Sequence, residues 1–296
     1  MAYQHSPVML AEVLKYLQPQ IGQKFIDCTL GGAGYTLAIA AQVGEQGKIL
    51  GIDLDDLAIR NAQQRITESK FKNIILVQAN FKNLSTIVAD NFPRGSKFAG
   101  IVFDLGLSSA QLADQARGFS FQGERPLDMS FGPDNQRFTE DIVNHYSLLE
   151  LTKIFREYGE ERRAYQIAKA IVAARKKKRI VTTADLVAII EQVVPFRFYS
   201  KIHPATRVFQ ALRLETNEEL VSLAQALSQA VELLEEKGKL VVVSFHSGED
   251  RIVKRFFKEN PYLQVLTKKP LIPSEEETAD NSRARSAKLR AAQKIK

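Results

Sequence analysis

The segment Lys24-Phe25-Ile26-Asp27-Cys28-Thr29-Leu30-Gly31-Gly32-Ala33-Gly34 reads as a short strand running into a glycine-rich turn, and Leu37, Ala38, Ala40 and Ala41 behind it mark a helix. Outward from there the pattern repeats. Residues 48–54 form a second strand, followed by a helix from 56 towards 69; residues 73–79 form a third, followed by a helix near 84–90; residues 98–105 form a fourth. Strands separated by helices at this spacing are βαβ units, which build a parallel sheet through right-handed crossovers. The first hundred residues are therefore expected to be an α/β domain.

After residue 107 the pattern changes. Residues 110–138 are rich in Gly, Pro, Asp, Gln and Arg without a clear period. Three helical patterns follow. Ser147 caps the first, with Glu150 three residues on completing a capping box. Ala164, Ile167, Ala168, Ile171 and Val172 give the apolar stripe of the second, and Thr183 caps the third, which must stop near Pro195. Leu220, Leu223, Ala224, Leu227, Val231 and Leu234 then mark a long amphipathic helix that Gly238 would close at its C-terminal cap. Residues 239–245 are a strand of the all-buried type, residues 252–257 look helical, and 262–267 are a further strand candidate. The expected organisation is a discontinuous α/β domain, residues 1–110 and 206–296, with a helical insertion at 111–205.

Composition bounds the function. With 296 residues, 45% hydrophobic and 25% charged, the chain is globular rather than disordered. No apolar run approaches the ~18 residues of a membrane span. The opening residues lack the basic and apolar regions of a secretory signal. The single cysteine, Cys28, excludes an internal disulfide framework and fits a reducing, cytoplasmic setting. Four histidines and one cysteine, all scattered, give no metal-ligand spacing, so no metal is expected. The net charge of +7 is concentrated at the end of the chain, where residues 281–296 carry six basic groups and no acidic one. A second cluster is Arg175-Lys176-Lys177-Lys178-Arg179. Such clusters suit a polyanionic partner, because each neutralised phosphate releases condensed counterions; a solvated helix end and a frayed terminus explain them equally well.

A turn built on Gly31, Gly32, Ala33 and Gly34 lets backbone approach a ligand, and Asp53, 22 residues after Gly31 at the end of the second strand, is placed to accept both hydroxyls of an adenosine ribose. The dinucleotide fingerprint needs Gly at 33 and Gly or Ala at 36, whereas this chain has Ala33 and Thr36. S-adenosylmethionine (SAM), which carries no pyrophosphate, tolerates the looser turn. The fourth strand ends in Asp104, at the sheet edge where ligands gather in open α/β folds; a loop cap is its structural alternative.

Beyond this point the residues are specific. The chain resembles the bacterial 16S rRNA (cytosine-N4)-methyltransferase family (RsmH/MraW) in many ordered motifs. They include His5-Ser-Pro-Val-Met-Leu, Asp27-Cys-Thr-Leu-Gly, Phe103-Asp-Leu-Gly-Leu-Ser-Ser, Arg117-Gly-Phe-Ser-Phe, Pro126-Leu-Asp-Met, His203-Pro-Ala-Thr-Arg, Ser244-Phe-His-Ser and Asn281-Ser-Arg-Ala-Arg-Ser-Ala-Lys-Leu-Arg. The resemblance implies a Rossmann-like class I SAM-dependent methyltransferase with an inserted helical substrate domain, acting on a cytidine in the decoding region of small-subunit rRNA, as a monomer or homodimer. Carried over by position, the SAM contacts fall on Ala33, Gly34, Tyr35, Asp53, Phe81, Asp104 and Gln111, with Gly31 in the same turn. Phe81 would pack on the adenine. Departures are Ala33-Gly34-Tyr35-Thr36 for Gly-Gly-His-Ser, Ser130 for Arg and Gly248 for Leu; a methyl at 33 fits a negative φ.

The chemistry needs placement more than activation, since a sulfonium methyl is already a strong electrophile. Asp104 is the candidate catalytic acceptor for an N–H of the cytosine amine, or else it holds the methionine part of SAM. Phe119 and Phe121 are candidates to stack the base, His246 to line its pocket, and Arg283, Arg285, Lys288, Arg290 and members of the 175–179 run to hold phosphates. Two other readings remain open at this level: an RNA-binding assembly factor with a decayed cofactor turn, and an NAD-dependent oxidoreductase, which the fingerprint mismatch disfavours.

Overall fold

Alternation along β1 (Lys24–Asp27) sets the layers: Phe25 faces one core and Ile26 the other, both fully buried. The same division runs through β2 (Lys48–Asp53), β3 (Ile74–Gln78), β4 (Phe98–Asp104) and β5 (Leu234–Ser244). The computed structural model describes residues 7–106, 117–121, 123–132, 137–195 and 203–296. Seven strands order as β3-β2-β1-β4-β5-β7-β6, with β6 at Leu263–Val265 and β7 at Lys288–Lys294. The first five are parallel; β7 runs antiparallel to both β5 and β6. This is the Rossmann-like α/β architecture. Strand order reverses between β1 and β4, which makes the carboxyl ends of β1, β2 and β4 the crevice of such a sheet.

Ile26, Leu50, Ile52, Ile101, Phe103 and Val242 pack under the helices Leu84–Asn91, Glu219–Leu233 and Ser247–Glu259. Phe25, Ile49, Val102, Val241 and Leu289 pack under Leu10–Leu17 and Gly34–Val43. Helix Asp56–Ser69 starts on Asp55, whose side chain accepts the Leu57 amide at 3.0 Å.

The chain divides into two compact units, Met1–Ser108 with Leu220–Lys296, and Ser109–Glu219. The second unit is helical: Thr139–His145, Leu148–Glu157, Ala164–Arg175, Thr183–Val193 and Ala205–Thr216. Residues 206–219, expected with the sheet, are grouped with these helices, because Ala205–Thr216 buries Val208, Phe209, Ala211 and Leu212 and contacts Leu148–Glu157. Ser147 and Glu150 form the expected capping box. The next box falls one residue earlier than expected, on Thr182 and Asp185, leaving Thr183 as the first helical residue.

Two expectations are overturned. Helix Glu219–Leu233 ends before Gly238; β5 begins at Leu234, and a bulge puts Lys239 opposite Gly100 while Leu234 pairs with Phe98. The left-handed residue there is Lys237, φ 64°, rather than a glycine cap. The basic terminus is no frayed tail. Residues 288–294 form β7, inserted between β5 and β6, with Leu289, Ala291 and Ala292 buried.

Candidate active site

Asp53, at the tip of β2, accepts the Gly31 amide on Oδ2 at 2.8 Å and the Asp55 amide on Oδ1 at 2.9 Å. Each oxygen keeps a second lone pair for a ligand hydroxyl. Burial pushes its pKa up to about 6 against the pull of those two amides. Asp27, at the tip of β1, is fully buried, accepts the Thr36 hydroxyl at 2.7 Å and is likewise raised to about 6 by burial. Asp104, at the tip of β4, is raised by burial and then by the charges of Asp27 and Glu249. Its backbone amide donates to the Thr29 hydroxyl at 2.6 Å, while its Oδ1 is buried with no hydrogen-bond partner among the described residues. A buried carboxylate oxygen left unpaired is costly, and a ligand N–H or cationic group would satisfy it.

The turn between β1 and its helix is wound by a non-glycine residue. Ala33 has φ 59° and is completely buried, so the condition under which a methyl is easily tolerated at 33, a negative φ, is not met. Its amide donates to Leu30 O at 2.7 Å, and Arg65 donates to Gly32 O from the neighbouring helix. Gly34 opens the helix beneath Pro7; a Cβ there would come within 2.8 Å of the proline ring. Tyr35 is buried with its hydroxyl on Val8 O, so its side chain anchors residues 7–9 against the turn. Phe81 is half-buried beyond the tip of β3, edge-on to Phe103 at 5.6 Å between ring centroids. Gln111 lies outside the described residues.

The residues proposed for RNA are dispersed in role. His246 caps helix Ser247–Glu259: its Nδ1 accepts the Gly248 amide at 3.2 Å, and Nε2 lies 3.1 Å from Glu249 Oε1 but out of hydrogen-bond alignment. Buried Glu249 in turn accepts the amides of Phe245 and His246 at 2.8 and 3.2 Å. Phe119 stacks on Phe131 at 5.5 Å, and Phe121 on His203 at 4.8 Å, so both are held within the second unit's own packing. Arg283 and Arg285 are exposed, and Lys288 lies 3.7 Å from Asp250. Arg290 corrects its expectation: it is 6% exposed and forks onto Asp250 at 2.6 and 3.3 Å, which removes it from any phosphate. Asp27, Thr29 and Glu249 were not among the candidates. The spacing of His246 to Glu249 was the one local signal, since it is that of a capping box.

No group of three or more metal-ligating side chains occurs among the described residues. A glycine turn, an acid at the tip of β2 and, at the tip of β4, an acid with one oxygen unpartnered among the described residues lie together on the reversal edge of a parallel sheet, where ligands gather in proteins of the Rossmann-like class. A model of the MraW methylase family matches residues 2–295. The ribosomal RNA small subunit methyltransferase H of Carboxydothermus hydrogenoformans is 42% identical, with 100% of this chain and 99% of that protein covered. That of Thermomicrobium roseum is 44% identical, covering 98% and 94%. An rRNA methylase structure from Streptococcus thermophilus aligns at TM-score 0.49 and 10% identity over 100% of both chains. The chain belongs to the MraW methylase family.

Proposed function

We propose that this protein transfers a methyl group from SAM to small-subunit ribosomal RNA, at the N4 amine of a cytidine in the decoding region, in the cytoplasm where the subunit is assembled. The curated relatives' names support the rRNA substrate. The observation that carries the chemistry is Asp104, a strand-tip carboxylate with one buried oxygen lacking a partner among the described residues.

When bound, SAM supplies a methyl already activated on a sulfonium. Asp53 would take the ribose hydroxyls on its remaining lone pairs, and Phe81 would present an apolar face to the adenine. Gly31, Ala33 and Gly34 supply a close-packed backbone turn for the rest of the cofactor. Asp104 would accept an N–H of the cytosine amine, which holds that nitrogen in place and favours the positive charge developing on it. Thr29 fixes the Asp104 backbone, and Asp27 and Glu249 add negative field near it. Arg283 and Arg285 remain exposed candidates for phosphates.

The test is incubation of the protein with methyl-labelled SAM and small subunits lacking the modification, followed by mass spectrometry of the rRNA nucleosides. N4-methylcytidine is the expected product. Label confined to another base or to ribose overturns the N4 assignment, and no transfer at all overturns the enzyme.

A further inference from the structure

Residues 162–184 contain no aspartate or glutamate but eight basic residues: Arg162, Arg163, Lys169, Arg175, Lys176, Lys177, Lys178 and Arg179. The structure sorts them by role. Arg163 donates to Val193 O at 2.9 Å, and Arg175 donates to Val143 O and Tyr146 O, both at 2.7 Å. Lys178 pairs with Asp185 at 3.3 Å, and Arg179 with Glu140 at 2.6 Å. Half of the basic run therefore serves the second unit internally.

The other four point outward together. Helix Ala164–Arg175 buries Ala164, Ile167, Ala168 and Ile171. At 3.6 residues per turn Tyr165, Gln166, Lys169 and Ala173 lie on the opposite face, with Arg162 and Lys176 in the turns that flank the helix, and all six are exposed. That face presents Arg162, Lys169 and Lys176, with Lys177 beside them; Tyr165, 46% exposed, lies among the cations. From Arg162 to Lys176 the line is ~20 Å long at about 1.5 Å per residue.

We propose that the outer face of this helix and its two flanking turns, Arg162, Tyr165, Lys169, Lys176 and Lys177, is a docking surface for the phosphate backbone of the RNA substrate. This inference rests on the RNA-methyltransferase reading. Exposed cations without an ion pair among the described residues match a polyanion, and an exposed tyrosine among them offers a stacking face to an unpaired base. A bilayer is the poorer match, because the apolar face of the helix is buried in its own unit and offers no surface to insert.

The experiment measures binding of the full chain to in vitro transcribed 16S rRNA across a salt series. In the variant Arg162→Ala/Lys169→Ala/Lys176→Ala/Lys177→Ala the affinity should fall at least about tenfold at moderate salt, and the slope of log affinity against log salt should flatten by about 3. Tyr165→Ala should lower affinity without moving the slope. SAM binding should be unaltered in both, which reports an intact first unit, and an unchanged far-UV circular dichroism spectrum and thermal melt report an intact second unit. The control Lys72→Ala/Arg94→Ala/Lys254→Ala/Lys258→Ala removes equal charge from exposed positions of the first unit and should retain most of the affinity. An unchanged slope in the helix variant, or an equal loss in the control, overturns the surface alone. Failure of the wild type to bind 16S rRNA overturns the surface together with the substrate reading. Binding to phosphatidylglycerol vesicles that the helix variant loses, with RNA binding intact, assigns the face to a membrane and overturns the proposal.

Discussion

The carboxylate of Asp53 accepts the amide of Gly31 at 2.8 Å, so the tip of the second strand is tied to the turn that follows the first. A single side chain thus shapes the glycine turn and presents its remaining lone pairs to a ligand. Asp27 and Asp104 are likewise the last residues of β1 and β4, although in register Asp27 lies opposite Gly51 and Val102, two residues short of Asp53 and Asp104. Three acids at three adjacent strand tips, none in an ion pair among the described residues, form an electronegative crevice suited to hydroxyls and cationic groups.

Protonation of these acids should separate stability from affinity. Asp27 and Asp53 have folded pKa values raised to about 6 from 3.8, so the folded state holds more protons than the unfolded one between those values. Stability from this source is greatest at low pH and is lost as pH rises through about 6. SAM binding favours the ionised forms and should weaken as pH falls through the same window. Thermal melts and calorimetric titrations between pH 5 and pH 7 should therefore slope in opposite directions, and Asp53→Asn should flatten the binding slope while only reducing the stability slope, because Asp27 still titrates.

Asp104→Asn keeps the size and one acceptor oxygen but loses the charge. Turnover should fall by at least about a hundredfold, the scale of losing one preorganised electrostatic partner, while SAM affinity stays within about threefold. Single-turnover rates with saturating cofactor check this. A large loss of SAM affinity at unchanged turnover would move Asp104 to the methionine end of the cofactor.

Ala33 sets two comparable effects against each other. Its left-handed backbone costs roughly 1–2 kcal/mol, and its buried methyl returns about 0.8 kcal/mol. Glycine relieves the first but loses the second and adds unfolded-state entropy. Ala33→Gly should therefore shift the melting temperature by no more than about 2 °C, corresponding to roughly 1 kcal/mol at this size. Ala33→Val, β-branched in the same conformation, should destabilise by several degrees. Differential scanning calorimetry of both variants decides it.

Arg290→Ala should destabilise the protein by roughly 3 kcal/mol, since among the described residues it leaves the largely buried Asp250 with the longer 3.7 Å pair to Lys288 alone. Chemical denaturation measures the loss. For the same reason, removing residues 281–296 deletes β7 from the sheet and should unfold the first unit rather than selectively weaken RNA binding.

The parallel sheet and its helices were legible because βαβ units are local: each strand, turn and helix signals itself within about thirty residues. Asp53 and Asp104 were legible for the same reason, as acids ending strands. What the sequence hid was non-local. Lys288-Leu-Arg-Ala-Ala-Gln-Lys294 carries charges that obscure a strand, and Arg290 is buried in the sheet against Asp250, forty residues away. The run 175–179 looked uniform, yet carbonyls and carboxylates contributed by other segments of the second unit separate its members. Tyr35 lies beside the glycine turn in sequence, but its hydroxyl is directed at Val8.

Calorimetric titration of SAM into the wild-type protein and into Asp53→Ala is the most direct test of the strand-tip crevice as the cofactor site. The wild type should bind one equivalent, and the variant, lacking charge-assisted hydrogen bonds of about 1.5–3 kcal/mol, should bind at least tenfold more weakly while remaining folded. Equal affinity in the two proteins would place the cofactor elsewhere and contradict the account.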